Sequence, residues 1–262
     1  MSAIKHTTIP SETQADLVAR AAGYRLVARL FADPVQGAVA AGQEIAVARA
    51  AAHFQGDDEQ AAIVDELAEL LPVGDEAARR SYTGMFGLLV SPEAPPYELE
   101  YERRTDVFWR ADRMADIAGF HRAFGLELTT RERHDHISVE AGFLWYLLER
   151  MVTACDRGHG RDQQEILRSA FASYFTEHFG VWVPSFERAL SVAAGAKGHE
   201  FYARAATFLG HFAARESVRF GLEDVEIRLP SVTESSVAEE CDGCALSSGS
   251  DSGVTSRSAD SA

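Results

Sequence analysis

Apolar residues recur at helical spacing along most of this chain. From 12 to 32, Leu17, Ala21, Tyr24, Leu26, Val27, Leu30 and Phe31 share a face, and Asp33-Pro34 ends the run. An alanine-rich stretch over 38–53 closes at Phe54-Gln55-Gly56. Ile63, Val64, Leu67, Leu70 and Leu71 predict a helix over 58–71, broken at Pro72. Another is predicted over 75–90, broken at Pro92, and a longer amphipathic one over 102–124 through Val107, Phe108, Met114, Ile117 and Phe124. The strongest pattern starts after Asp135 and runs to about Asp156. Ile137, Ala141, Leu144, Leu148 and Met151 form its stripe, and Phe143, Trp145 and Leu147 widen it, so this helix is mostly buried. Beyond the Gly158-His159-Gly160 turn, 162–179 and 181–193 read as two helices, or as one kinked around Gly180 and Pro184. Residues 198–220 place Phe201, Ala205, Phe208 and Phe212 on one face. No run alternates with the period of a strand. The pattern predicts an all-α, single-domain helical bundle over 12–228, after a flexible N-terminus at 1–11.

Composition changes this picture only at the C-terminal end. After Arg228 large apolar residues nearly vanish and Ser, Gly, Asp, Glu and Thr take over. Such a segment cannot bury enough surface to order itself, so 229–262 is expected to be a disordered acidic, Ser-rich tail. The tail carries Cys241-Asp-Gly-Cys244, at best half of a metal site. With Cys155 these make an odd count of three, which, with no apolar leader at the N-terminus, suits the cytoplasm. No window of 18 or more apolar residues predicts a membrane span. The net charge of -15 argues against nucleic acid and favours basic partners.

Searches for catalytic patterns return little. There is no Gly-rich phosphate loop followed by Lys and no His-Glu-x-x-His, and no base for Cys155 can be named. The Gly-Ser-Asp-Ser-Gly run at 249–253 has Asp251 where a nucleophile elbow needs Ser. No catalytic residue, metal or cofactor is predicted. Two stretches carry candidate binding chemistry. In the first, Asp135 and His136 stand at the mouth of the long apolar helix. Asp135 either caps that helix, with a neighbouring surface His, or faces a ligand. His136 and Glu140 are one turn apart with His134 nearby, which allows a metal reading, but no further ligand follows at a convincing spacing. In the second, Pro95-Pro96 sets a rigid extended segment that Tyr97 and Tyr101 bracket. Those rings either pin a loop to the core or wall a ligand groove.

Taken in order, Pro-Pro-Tyr-Glu-x-x-Tyr, Asp-His-Ile-x-x-Glu-x-x-Phe-Leu, His178-Phe179-x-x-Trp182-x-x-x-Phe186 and Phe201-Tyr202 form a set. This set resembles the TorD/DmsD/NarJ family of redox-enzyme maturation chaperones, over about residues 15–220. Pro95 to Glu98 is most like the branch that serves type II DMSO-reductase-family molybdoenzymes. The resemblance implies an all-helical cytoplasmic protein, monomer or dimer, without catalysis or a cofactor of its own. It implies binding of the apo catalytic subunit of a molybdopterin oxidoreductase, through a twin-arginine leader or another segment, until the molybdenum cofactor is inserted. It also implies that Asp135 and His136 serve leader binding, with Glu140 beside them. Phe86, Pro95, Pro96, Tyr97 and Tyr101 would line the neighbouring surface, and His178 and Trp182 would be structural. Two other classes stay open: a metal enzyme built on His134, His136 and Glu140, and a helical regulatory adaptor unrelated to molybdoenzymes.

Overall fold

A computed structural model describes residues 12–34, 41–87, 93–103, 106–129, 132–158 and 160–230. Among these residues the chain is all-helical, with no strand. The α-helices are α1 (Gln14–Leu30), α2 (Ala41–Phe54), α3 (Asp58–Leu70), α4 (Asp75–Phe86), α5 (Val107–Ala123), α6 (Ile137–Asp156), α7 (Arg161–Tyr174), α8 (Gly180–Lys197) and α9 (Glu200–Phe220). A single 3₁₀ turn, Glu98–Glu100, lies in the link between α4 and α5. The predicted N-terminal segment 1–11, the tail from 231 onward and the Cys241/Cys244 pair lie outside the described residues.

The helix ends follow from local chemistry. Thr13 and Asp16 form a capping box on α1, and Asp57 and Asp106 cap α3 and α5 through their side chains. Helix α4 stops at Phe86, short of the predicted Val90, because Gly87 turns to a φ of 76° and returns its N–H to Thr83. Helix α5 starts at Val107 and not at 102, since Asp106 is extended and its side chain accepts the Phe108 N–H as the cap.

α1 and α6 are the central pair and run antiparallel. Gln14 meets Asp156 at one end, and Arg25 lies over the Trp145 ring further along. α2 covers α1, α3 bridges α2 to α9, and α8 packs on α9. Tyr24 of α1 sits at the centre, with Phe171, Phe179 and Phe212 arranged edge-on around it. Its hydroxyl donates to Glu216, which also takes a fork of hydrogen bonds from buried Arg20. This polar centre is satisfied by its own partners, as burial requires.

The 162–193 region is one continuous helix, as the second of the two predicted forms has it, and its irregularity is a π turn beside Gly180. α7 runs into α8 without a break, through a π-helical turn at Phe175–Phe179. The Gly180 N–H reaches back five residues to the Phe175 carbonyl. A Cβ on Gly180 would stand 2.8 Å from both the Phe175 ring and its carbonyl oxygen, so the turn needs glycine there. Pro184 is accommodated inside α8.

Candidate functional site

The residues of the three central motifs converge on the segment 93–103. That segment is laid against the entrance of α6 by backbone pairing. The Glu98 N–H donates to the Asp135 carbonyl and the Ile137 N–H to the Pro96 carbonyl, both at 2.9 Å. Tyr97 and His136 thereby form an isolated antiparallel bridge. Asp135, wholly buried, accepts from the Leu99 N–H and takes both arms of the Arg133 guanidinium, at 2.9 and 2.6 Å. The same guanidinium reaches Glu100 and lies over the Tyr97 ring. Arg110 of α5 adds bonds to the Leu99 carbonyl and to Glu100.

Deeper in, Glu98 is fully buried. It accepts from Arg113 of α5 at 2.8 Å and meets His178 Nδ1 from the π turn at 3.2 Å. Glu140, one turn into α6, accepts from the Trp182 indole N–H at 3.0 Å. Burial first, and then the negative charge of neighbouring Glu98, push the Glu140 carboxyl well above the usual carboxylate range. Burial therefore favours the protonated form of Glu140. Burial also lifts the Asp135 carboxyl, in spite of the Arg133 fork. His136 is pushed the other way, from its ordinary 6.5 down to about 3, by burial and then by Arg133. Its neutral ring uses Nδ1 to accept the Ser138 N–H. His136, and not Asp135, is thus the N-cap of α6. The expectation of a capping Asp with a surface His is corrected on both points. Asp135 is drawn away from the helix end because its carboxylate is needed by Arg133 and the Leu99 N–H.

The structure brings most of the predicted binding residues together beneath the surface. Asp135, His136 and Glu140 have no exposed area, Phe86 and Tyr101 are buried, and so are Pro95 and Pro96. Only Tyr97 is half-buried, with its hydroxyl donating to Glu132 at 3.0 Å. Tyr101 stacks on Trp182, and Phe86 packs against Tyr82 and Tyr202. The metal grouping does not form. His134 faces His121 with Nδ1 atoms 2.9 Å apart, His136 turns to Ser138, and Glu140 turns to Trp182. Among the described residues no three His, Cys, Asp or Glu side chains are placed to hold a metal ion. None of the described helices is long and apolar enough to cross a membrane. Sequence reasoning did not single out Glu98, Arg113 or Arg133. Glu98 stood inside the Pro-Pro-Tyr-Glu motif, and its place among the apolar neighbours was the available signal. Nothing in the sequence marks Arg113.

The fold and this cluster define a helical scaffold that ties an extended segment across three helices by buried ion pairs. Residues 55–188, just over half of the chain, match the family described as nitrate reductase delta subunit. The chain belongs to that family, which is of the NarJ/TorD type and whose members are redox-enzyme maturation chaperones. No curated protein and no solved structure matches the chain. The matched segment contains the whole buried cluster, from Glu98 to Trp182, and leaves out α1, α2 and α9.

Proposed function

We propose that this protein is a cytoplasmic chaperone without catalysis of its own. It binds the apo catalytic subunit of a molybdopterin oxidoreductase and assists insertion of the molybdenum cofactor before assembly or export. Pro95 to Glu98 favours a client of the type II DMSO-reductase family, recognised through its twin-arginine leader or another segment. One observation supports the reading: the family match spans three of the four ordered motifs, all but Phe201-Tyr202, and those three meet in one cluster around the 93–103 segment. In this reading Asp135, His136, Glu140, Pro95, Pro96 and Tyr101 act mainly by holding that segment in place, and Phe86 by packing α4 against Phe31 and Tyr202. Tyr97, with Arg133 over its face and Glu132 on its hydroxyl, is the member that meets the client directly.

The test is co-purification from the native host grown without molybdate, where apo-client accumulates. A molybdoenzyme catalytic subunit should come down with the chaperone, and deleting the gene should lower that enzyme's activity. Normal molybdoenzyme activity in the deletion strain, with no such subunit recovered, would refute the reading.

A further inference from the structure

The segment 93–103 contains one 3₁₀ turn and no longer helix. Side chains and a few backbone bonds to residues 135–137 are what keep it in place. Its deepest residue, Glu98, has no exposed area, and it lies against a second carboxyl that also has none, Glu140 of α6. The Trp182 indole N–H donates to one oxygen of Glu140, Oε2. The other, Oε1, is buried with no donor to meet it, and the Glu98 carboxylate is within hydrogen-bonding reach. Two buried carboxyls can face each other in this way only with a proton between them.

The surrounding groups fit one proton on the pair. Arg113 of α5 is matched to Glu98, and Arg133 is matched to Asp135, the other buried carboxylate facing Glu140. His178 turns Nδ1 to Glu98 at 3.2 Å and Nε2 to half-exposed Asp116 at 3.4 Å. Tyr174 of α7 faces the same carboxyls, and burial holds its hydroxyl neutral. A second negative charge on the Glu98–Glu140 pair would stand unneutralised in a dry site. Lifting the segment changes this balance. Both carboxyls then meet water and ionise in their ordinary range, so opening releases one proton. Each pH unit above that range favours the open form by about tenfold, up to the pH at which the closed pair itself ionises. We infer that the 93–103 segment is a proton-controlled latch: one proton shared by Glu98 and Glu140 holds it down, and loss of that proton frees it. Freed, it uncovers Trp182 and Phe186, which lie beneath Tyr101 in the closed form. The same movement shifts Tyr97, so pH governs how the residue that meets the client is presented. That last step alone rests on the chaperone reading.

The test is amide hydrogen exchange on the full chain without client, between about pH 7 and 8, where histidines uncovered by opening stay neutral. The reporters are the N–H groups of Glu98, Leu99 and Ile137, which tie the segment to the entrance of α6. Leu144 and Leu147, in the buried stretch of α6, report opening of the whole fold. The reporters should exchange faster than Leu144 and Leu147. Their rates should climb by about a hundredfold per pH unit, tenfold from hydroxide catalysis and tenfold from the released proton. In Glu140→Gln the amide donates to Glu98 and has no proton to lose, so the slope should fall to about tenfold. Glu100→Gln cuts the ion pairs to Arg110 and Arg133 but leaves the shared proton alone. It should raise exchange at every pH and keep the steep slope. A slope of about tenfold in the unaltered protein would overturn the latch. So would a steep slope that survives Glu140→Gln or is lost in Glu100→Gln, or reporters that exchange no faster than Leu144 and Leu147. Since no client enters the experiment, the latch fails separately from the chaperone reading, which co-purification tests.

Discussion

Replacing His136 by alanine removes three contributions at once. It takes away the N-cap of α6, worth about 1 kcal/mol. It deletes a ring with no exposed area, leaving a cavity, and it ends the edge contact with Tyr97 at 5.0 Å between centroids. Together these should cost about 3–4 kcal/mol. His136→Asn restores an acceptor near Nδ1 and should recover the cap. The sharper measurement is the pH dependence. In the unfolded chain the imidazole takes up a proton near 6.5, whereas in the fold its pKa is depressed to about 3. Stability from this group is therefore full above the unfolded value and is lost as pH falls below it. At pH 5 the loss is about 2 kcal/mol. Urea unfolding followed by circular dichroism at pH 7.5 and 5.0 gives the comparison. His121, pushed down to about 4 by burial, and Glu140 contribute to both proteins alike. The stability gap between the unaltered protein and His136→Asn should therefore shrink by about 2 kcal/mol at the lower pH. A gap that stays constant would refute the buried neutral imidazole, and with it the idea that His136 positions α6.

Glu140→Gln should be nearly neutral or stabilising at pH 7, because a carboxyl whose pKa is raised loses stability as pH climbs above its unfolded value. The amide keeps an acceptor for Trp182 and has nothing to titrate; destabilisation as large as that of Glu140→Ala would show that the acid is not neutral. Gly23→Ala should destabilise by about 2 kcal/mol or more, against the usual gain from removing a helical glycine. Its Cβ would stand 2.2 Å from the Phe212 ring, which Tyr24 pins edge-on, so a rise in melting temperature would contradict this packing. Truncation after Pro230 keeps the Arg228 N–H bond to Ser185 and should move the melting temperature by only a few degrees; a large loss of helicity would give the tail a structural part.

Most of the fold could be read from apolar periodicity, because each helix presents one face to a shared core. Where the reading slipped, the deciding contacts were mostly distant in sequence. The start of α5 is the exception: Asp106 caps it through its own side chain, a local signal that the apolar pattern over 102–124 overrode. The Asp135 side chain looked like a cap because its partners, Arg133 and the Leu99 N–H, are placed by the fold and not by local pattern. His136 looked like a surface residue because a neutral buried histidine has the same letter as an exposed charged one. The motif residues were legible as a set, but their burial was not. A polar residue before a helix reads the same whether it faces water, a ligand or an arginine.

The π turn at Phe175–Phe179 carries a consequence for how this chain tolerates length changes. It holds one residue more than an α-turn would, so it acts as a phase shifter between α7 and α8. Deleting one residue there, with reversion to ordinary pitch, would remove the extra residue and leave α8 in phase with α7. Tightening the turn to ordinary pitch with every residue kept would instead rotate everything downstream by about 100° relative to α7. Trp182 would then swing away from Glu140, and Phe186 from Phe31 and Tyr101, although no core side chain had been altered. The loss of a residue at half-buried Thr176 or exposed Glu177 should therefore be borne better than an insertion, which leaves two extra residues for the turn to absorb.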